Sequence, residues 1–276
     1  MPSEKRQRQD EGRLLRLEEQ RTATQKVQRK RQARTLAFII GGVVVVAGGI
    51  ALFSADSADK TDTADSSTTS TTVTENVVLP GAGASIKGKT PCPPADGSAE
   101  RTTGFEQAPP MCIDPAKSYT ATLKTTKGDV VIQLDAKSAP QTVNNFVVLA
   151  RYHFYDDVPF HRIVPGFVNQ AGDPVGPTPG TGGPGYTIPD ELPADPATAY
   201  PPGTVAMANA GPDSGGSQFF LVIGDENGAL SGAGSYSVFG KVVEGQDVSE
   251  AINALGGQDE LPTAPVAITS VTITEA

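Results

Sequence analysis

Tryptophan is absent from the 276 residues, and histidine and cysteine occur only twice each. Two His and two Cys are too few for a structural zinc cluster, which takes four nitrogen or sulfur ligands at close range. His153 and His161 have no carboxylate at ligand spacing and no Ser or Cys nucleophile marked beside them. A CxxC pair is missing, which removes a thiol-redox enzyme from consideration. The GTGGPG run lacks a following apolar helix and so is no phosphate cradle. No metal and no cofactor are therefore expected. Positive charge is also scarce over most of the chain. Residues 1–35 hold 11 Lys/Arg and 5 Asp/Glu, against 22 and 31 in the whole chain, so residues 36–276 carry a net −15. An acidic body cannot release counterions from a phosphate backbone, so nucleic acid is excluded as its partner.

What is present begins with that basic segment. Residues 1–35 are rich in Arg, Gln and Glu, with Leu14, Leu15 and Leu17 as nearly the only large apolar side chains. The segment suits a solvated cytoplasmic flank better than a binding tail. Leu36–Phe53 follows as 18 residues without a charge. At about 1.5 Å per residue, a helix of that length nearly matches a hydrocarbon core of ~30 Å. Lys30, Arg31 and Arg34 precede it and Asp56, Asp59 and Asp62 follow, which puts the N-terminus in the cytoplasm and the rest outside. The long basic flank and the lack of a small-x-small site after Phe53 favour an uncleaved anchor over a signal peptide. No Cys follows the apolar run, so a lipid anchor is unsupported. Residues 54–80 form a Ser/Thr-rich linker, read as a disordered tether because its first twenty residues offer almost no large apolar surface to bury. Residues 81–117 are Pro/Gly-rich and hold both cysteines. An even pair in an oxidising compartment is most simply one disulfide, Cys92–Cys112.

Residues 118–276 form the globular domain. Tyr119–Thr126 and Val130–Leu134 read as a hairpin turned at Lys127-Gly128-Asp129. Ser138 is placed to cap a helix that carries Val143, Phe146, Val147 and Ala150 on one face. Phe160–Val164 and Phe167–Ala171 are strands around a Pro165-Gly166 turn, followed by a long Pro-rich loop over 172–202. Gly203–Ala208, Gln218–Ile223 and Tyr236–Val243 are further strands, with a Gly/Ser loop over 227–235. Gln246–Leu255 is helical, and Pro265–Thr274 closes the chain as a strand whose alternation breaks at Thr269-Ser270. Many short strands with two helices predict a mainly β fold, a closed antiparallel barrel with helices over its ends.

Two stretches concentrate polar groups among apolar ones: FHRIVPGFVNQAGD over 160–173 and GTVAMANAGPDSGGSQFFLV over 203–222. In the order found here, and joined by GGPGYTIPDE, they resemble the paired signatures of the cyclophilin-type peptidyl-prolyl cis-trans isomerases; SVFGKVVEG is similar to a later strand of that family. The resemblance runs from about Tyr119 to Ala276 and leaves the anchor, tether and cysteine segment outside. It implies an eight-stranded antiparallel barrel capped by two helices and an enzyme acting on proline-containing polypeptides as a monomeric catalytic domain. It assigns Arg162 as the catalytic residue and Gln170 as the binder of substrate backbone. Asn209, flanked by Ala208 and Ala210, matches a main-chain contact to the peptide. Phe167, Val168 and Phe220 match the wall around the proline ring, and Gln218 and His161 match groove positions. Leu230 and Tyr236 complete the wall only if about two residues are inserted between them in ALSGAGSYSVFG. The missing indole implies weak binding of cyclosporin.

Each of these residues also has a plainer reading. Arg162 could pair with an acid such as Asp173, the two Phe could be ordinary core, and Gln170 and Asn209 could satisfy loop backbone. A module that holds Pro-containing segments without turnover, an envelope chaperone, is the alternative to the enzyme. The reading favoured by the sequence is a membrane-tethered, extracytoplasmic isomerase.

Overall fold

A computed structural model describes residues 76–225 and 228–276. The expected membrane helix at 36–53, the basic segment 1–35 and linker residues 54–75 lie outside the described residues. Among those described, no helix is long and apolar enough to cross a membrane.

The first strands form a small parallel pair, β1 (Ala84–Ile86) and β2 (Thr102–Phe105). Nine others make one curled antiparallel sheet. They are β3 (Tyr119–Thr125), β4 (Gly128–Leu134), β5 (Val158–Pro159), β6 (Arg162–Val164), β7 (Val168–Ala171), β8 (Thr204–Met207), β9 (Phe219–Val222), β10 (Val238–Glu244) and β11 (Ala267–Glu275). Their hydrogen-bonded order is β5-β11-β3-β4-β10-β8-β9-β7-β6. The expected ladder of eight strands closed into a barrel is thus replaced by a nine-strand sheet with β5 and β6 as its edges. Only Phe160 and His161 separate those edges along the chain. The β3–β4 hairpin turns at Thr126-Lys127, one step before the expected turn, because Gly128 already pairs with Thr125. The broken alternation at Thr269-Ser270 is a bulge, with the register shifting between Ile268 and Ser270.

Among the described residues, three α-helices accompany the sheet: α1 (Pro140–Arg151), α2 (Ala229–Ala233) and α3 (Gln246–Asn253). The five-residue α2 occupies what reads in sequence as a Gly/Ser loop. Gly228 and Gly234, both left-handed at φ 61° and 57°, bound it. Ser138 does not cap α1. The Glu191 carboxylate, from the long loop, accepts from the Gln141 and Thr142 amides at 3.0 and 2.7 Å and does the same job from fifty residues away.

Phe146 on α1 packs Tyr155, Phe239 and Phe219 at ring-centroid distances of 5.0, 5.3 and 5.4 Å, all fully buried. Each such side chain contributes about 2–3 kcal/mol by leaving water. Periodicity predicts one buried face for α1, yet Thr142 to Arg151 are all buried. Residues 84–113 explain the difference by covering its outer side. Asn144 Oδ1 accepts from the Cys112 amide at 2.7 Å, and its Nδ2 donates to the Pro110 carbonyl at 2.9 Å. Phe105 and Ile113 join the main core, and the Cys92–Cys112 disulfide closes the strap. Even Val77, within the expected linker, is buried, and Asn76 Nδ2 donates to the Pro262 carbonyl.

Candidate active site

On β6 and β7, alternation sets Ile163 and Asn169 to the buried side and leaves Arg162, Val168 and Gln170 on the other. The hairpin between them is fixed from behind by α3. Asn253 Nδ2 donates to the Val164 carbonyl and to Asn169 Oδ1, while its Oδ1 accepts from the Gly166 amide at 2.8 Å. Asn169 Nδ2 in turn donates to the Ser249 carbonyl. Arg162 and Gln170 stand directly opposite in register, and Gln170 pairs on its other side with Phe220 of β9.

These strands open onto a pocket of about 350 Å³. Arg162, Gln170, Phe167, Val168, Ala208, Asn209, Phe220, Leu230 and Tyr236 all line it, so nine of the sequence-derived site residues meet at one place. Val168, Phe220 and Leu230 are almost wholly buried, while Phe167 and Tyr236 are partly exposed at the mouth. Tyr236 meets Phe220 edge to face at 5.2 Å, and its backbone is held by the Tyr200 hydroxyl. Leu230 rides on α2, whose first turn donates to Asp225: the Leu230 and Ser231 amides reach its carboxylate at 2.9 and 3.0 Å. Both residues whose match needs an insertion therefore reach the pocket.

A second pocket, of about 610 Å³, shares Gln170, Ala208 and Asn209 and extends past Ala210 and Gln218 along the 180–187 loop. That loop is tied down by Asp173, which is fully buried. Its carboxylate accepts from the amides of Val175, Gly176, Gly180 and Gly182 at 2.8–3.1 Å. Asp173 is thus a loop organiser and not the partner of Arg162. Gln218 Nε2 donates to the Gly180 and Gly182 carbonyls at 2.9 and 2.8 Å. Gln218 Oε1 accepts from Gln170 Nε2 at 3.0 Å, and Gln170 Oε1 accepts from Arg162 Nη1 at 3.4 Å. A single relay of side chains runs from the loop to the guanidinium. The Asn209 side chain donates to the Ser235 carbonyl at 2.7 Å, and the residue lines both pockets.

His161 borders a further pocket of about 260 Å³ together with Arg162, Gln170, Gly180 and Glu260, as a buried ring. Its side chain is only 4% exposed, and neither ring nitrogen has a hydrogen-bond partner among the described residues. Burial lowers its pKa to about 4; nearby Asp173 opposes that shift and Arg162 adds to it. The ring is neutral at physiological pH, with Gly180 folded over it: a Cβ there would lie 2.9 Å from His161 Cδ2. Sequence reasoning also missed Glu260, whose carboxylate takes Arg162 Nε at 2.6 Å. It lies ninety-eight residues from Arg162, and no spacing rule connects them.

Chemically, the site offers a cationic donor and an amide at the rim of an apolar pocket. Comparison with known proteins names the class. The family model described as "Cyclophilin type peptidyl-prolyl cis-trans isomerase/CLD" matches residues 120–273. A Helicobacter pylori peptidyl-prolyl cis-trans isomerase is 45% identical over 134 residues, covering 49% of this chain and 78% of that one. Peptidyl-prolyl cis-trans isomerase A of Mycobacterium tuberculosis is 43% identical over 179 residues, covering 58% and 94%. The crystal structure of a Cryptosporidium parvum cyclophilin-type isomerase, obtained in the presence of the dipeptide Ala-Pro, aligns with TM-score 0.51 and 27% identity over 56% of this chain and 98% of that one. This chain belongs to the cyclophilin-type peptidyl-prolyl cis-trans isomerases. The strap and everything before it fall outside the matched region.

Proposed function

We propose that the domain catalyses rotation about X-Pro bonds through Arg162. Rotation must break amide resonance, a barrier of roughly 18–20 kcal/mol, so the uncatalysed bond turns over in tens to hundreds of seconds. As the bond twists, the proline nitrogen pyramidalises and gains a lone pair. A fixed cationic donor then stabilises the twisted state more than either planar one, which is what lowers the barrier. Arg162 supplies that donor. Phe167, Val168, Phe220, Leu230 and Tyr236 hold the proline ring, while Gln170 and the main chain of Asn209, between Ala208 and Ala210, hold the adjoining peptide. Gln218 acts by holding Gln170 and the loop. No step calls on a metal, cofactor or covalent intermediate. The observation that carries this reading is the pairing of Arg162 with Gln170 across β6 and β7 at the mouth of the apolar pocket. An X-Pro exchange assay on the full chain, protease-coupled or by NMR, is expected to show acceleration well above solvent. Peptide binding without acceleration would leave a binding module.

The same proposal places the domain outside the membrane as a monomer, anchored by residues 36–53 with residues 1–35 in the cytoplasm and acting on secreted or envelope polypeptides. Support comes from the charge bias around the apolar run and from the disulfide. Protease added to intact spheroplasts should digest the domain and spare the N-terminal segment. Protection of the domain would reverse the topology.

A further inference from the structure

The carboxylate against Arg162 has a role that the reading above leaves unused. Glu260 Oε2 meets Arg162 Nε at 2.6 Å, on the side of the guanidinium away from the contact with Gln170. Arg162 has five N–H donors, so with one on Glu260 and one on Gln170 three remain. Glu260 is not a passing surface acid. Its backbone is left-handed at φ 65°, an uncommon state for a residue with a Cβ, and its carbonyl accepts from the Ile163 amide, next to Arg162, at 2.8 Å. The loop around it is closed by Gly257 N to Leu261 O at 2.8 Å and Glu260 N to Gly257 O at 3.2 Å. That loop presses so close to β6 that a Cβ on Gly256 would lie 2.8 Å from the Ile163 carbonyl. Backbone geometry therefore delivers the carboxylate to Nε.

We infer that Glu260 is a positioning residue, which with Gln170 clamps the Arg162 guanidinium in one orientation and leaves its remaining N–H donors for the substrate. This inference rests on the role of Arg162 proposed above. Two effects compete. The carboxylate partly offsets the cation's field, but an exposed pair interacts weakly through water. Orientation acts directly, since a donor aimed in advance costs no reorganisation in the transition state. Orientation wins, so removing Glu260 slows the enzyme.

The test uses the full chain. Glu260→Ala is expected to lower kcat about tenfold with KM within twofold, and Glu260→Gln, which keeps an acceptor oxygen, to recover most of the loss. The Arg162 Nε–H resonance is expected to be protected from solvent exchange in the parent, to exchange fast in Glu260→Ala and to remain protected in Glu260→Gln. Unchanged melting temperatures would show that the fold is intact. If Glu260→Ala turns over at or above the parental rate, or if Nε–H stays protected in it, the positioning role is wrong. An Arg162→Ala control separates the two layers: if that variant keeps full activity, the role of Arg162 itself fails, whereas an inactive Arg162→Ala beside a fully active Glu260→Ala sinks only the clamp.

Discussion

Gln170 joins two polar side chains at once: its carbonyl oxygen takes Arg162 Nη1 at 3.4 Å and its amide donates to Gln218 Oε1 at 3.0 Å. The first bond follows from a register in which Arg162 and Gln170 are direct cross-strand partners, and the second from the pairing of β7 with β9, which sets Gln170 against Phe220, two residues from Gln218. Gln170→Ala removes one side of the guanidinium clamp together with a peptide contact. Losing a hydrogen bond of about 1 to 1.5 kcal/mol predicts a fall in kcat/KM of roughly tenfold. Steady-state kinetics on an X-Pro peptide measure this. An unchanged kcat/KM would take Gln170 out of the site.

The elements that sequence made legible are those written locally. Alternation reveals β3, β4, β6 and β7, helical spacing reveals α1 and α3, and two adjacent residues against the alternation mark the bulge in β11. The pocket is legible for a different reason: its residues sit in two continuous stretches that the sheet brings together through β7 and β9. What escaped depends on long-range contact. β1 and β2 are three and four residues long in a Pro/Gly-rich segment, and Phe105 becomes core only because that segment lies across α1. Glu191 caps a helix that starts fifty residues earlier, and Glu260 reaches Arg162 from the far end of the chain. The burial of His161 requires a loop to close over it.

His161 gives a pH dependence of stability. Its pKa is near 4 when folded and about 6.5 when unfolded, so between those values the unfolded chain binds the extra proton. Stability from this group is fully present above about pH 6.5 and is lost as pH falls to about 4, a contribution of up to about 3 kcal/mol. In an NMR titration, the His161 ring should stay neutral until close to pH 4. A midpoint near 6 would show that the ring is solvated.

The disulfide should matter to the whole domain, because the strap it closes covers α1 and carries Phe105 into the core. Closing a loop with a sequence separation of 20 contributes about 3 kcal/mol in the chain-entropy picture. Replacing both Cys92 and Cys112 by Ser is expected to lower unfolding stability by that order in denaturant titration. Non-reducing peptide mapping should recover the linked peptide. Two freely alkylated thiols in the native protein would contradict the bridge.

Cyclosporin should bind weakly. The chain has no indole to grip it, and the residue just before Leu230 on the short α2 is Ala229, which lines the pocket with a far smaller side chain. Calorimetric titration is expected to give a dissociation constant well above the nanomolar range. A low-nanomolar value would mean that the pocket reshapes around the ligand.

The most direct measurement is turnover of an X-Pro peptide by the full chain with Arg162 replaced by Ala. Removing a dominant transition-state donor of ~3 kcal/mol predicts a loss of about 10²-fold or more in kcat, with peptide still bound and the melting temperature unchanged. Turnover within a few-fold of the parent would show that the twisted bond is stabilised by something other than Arg162.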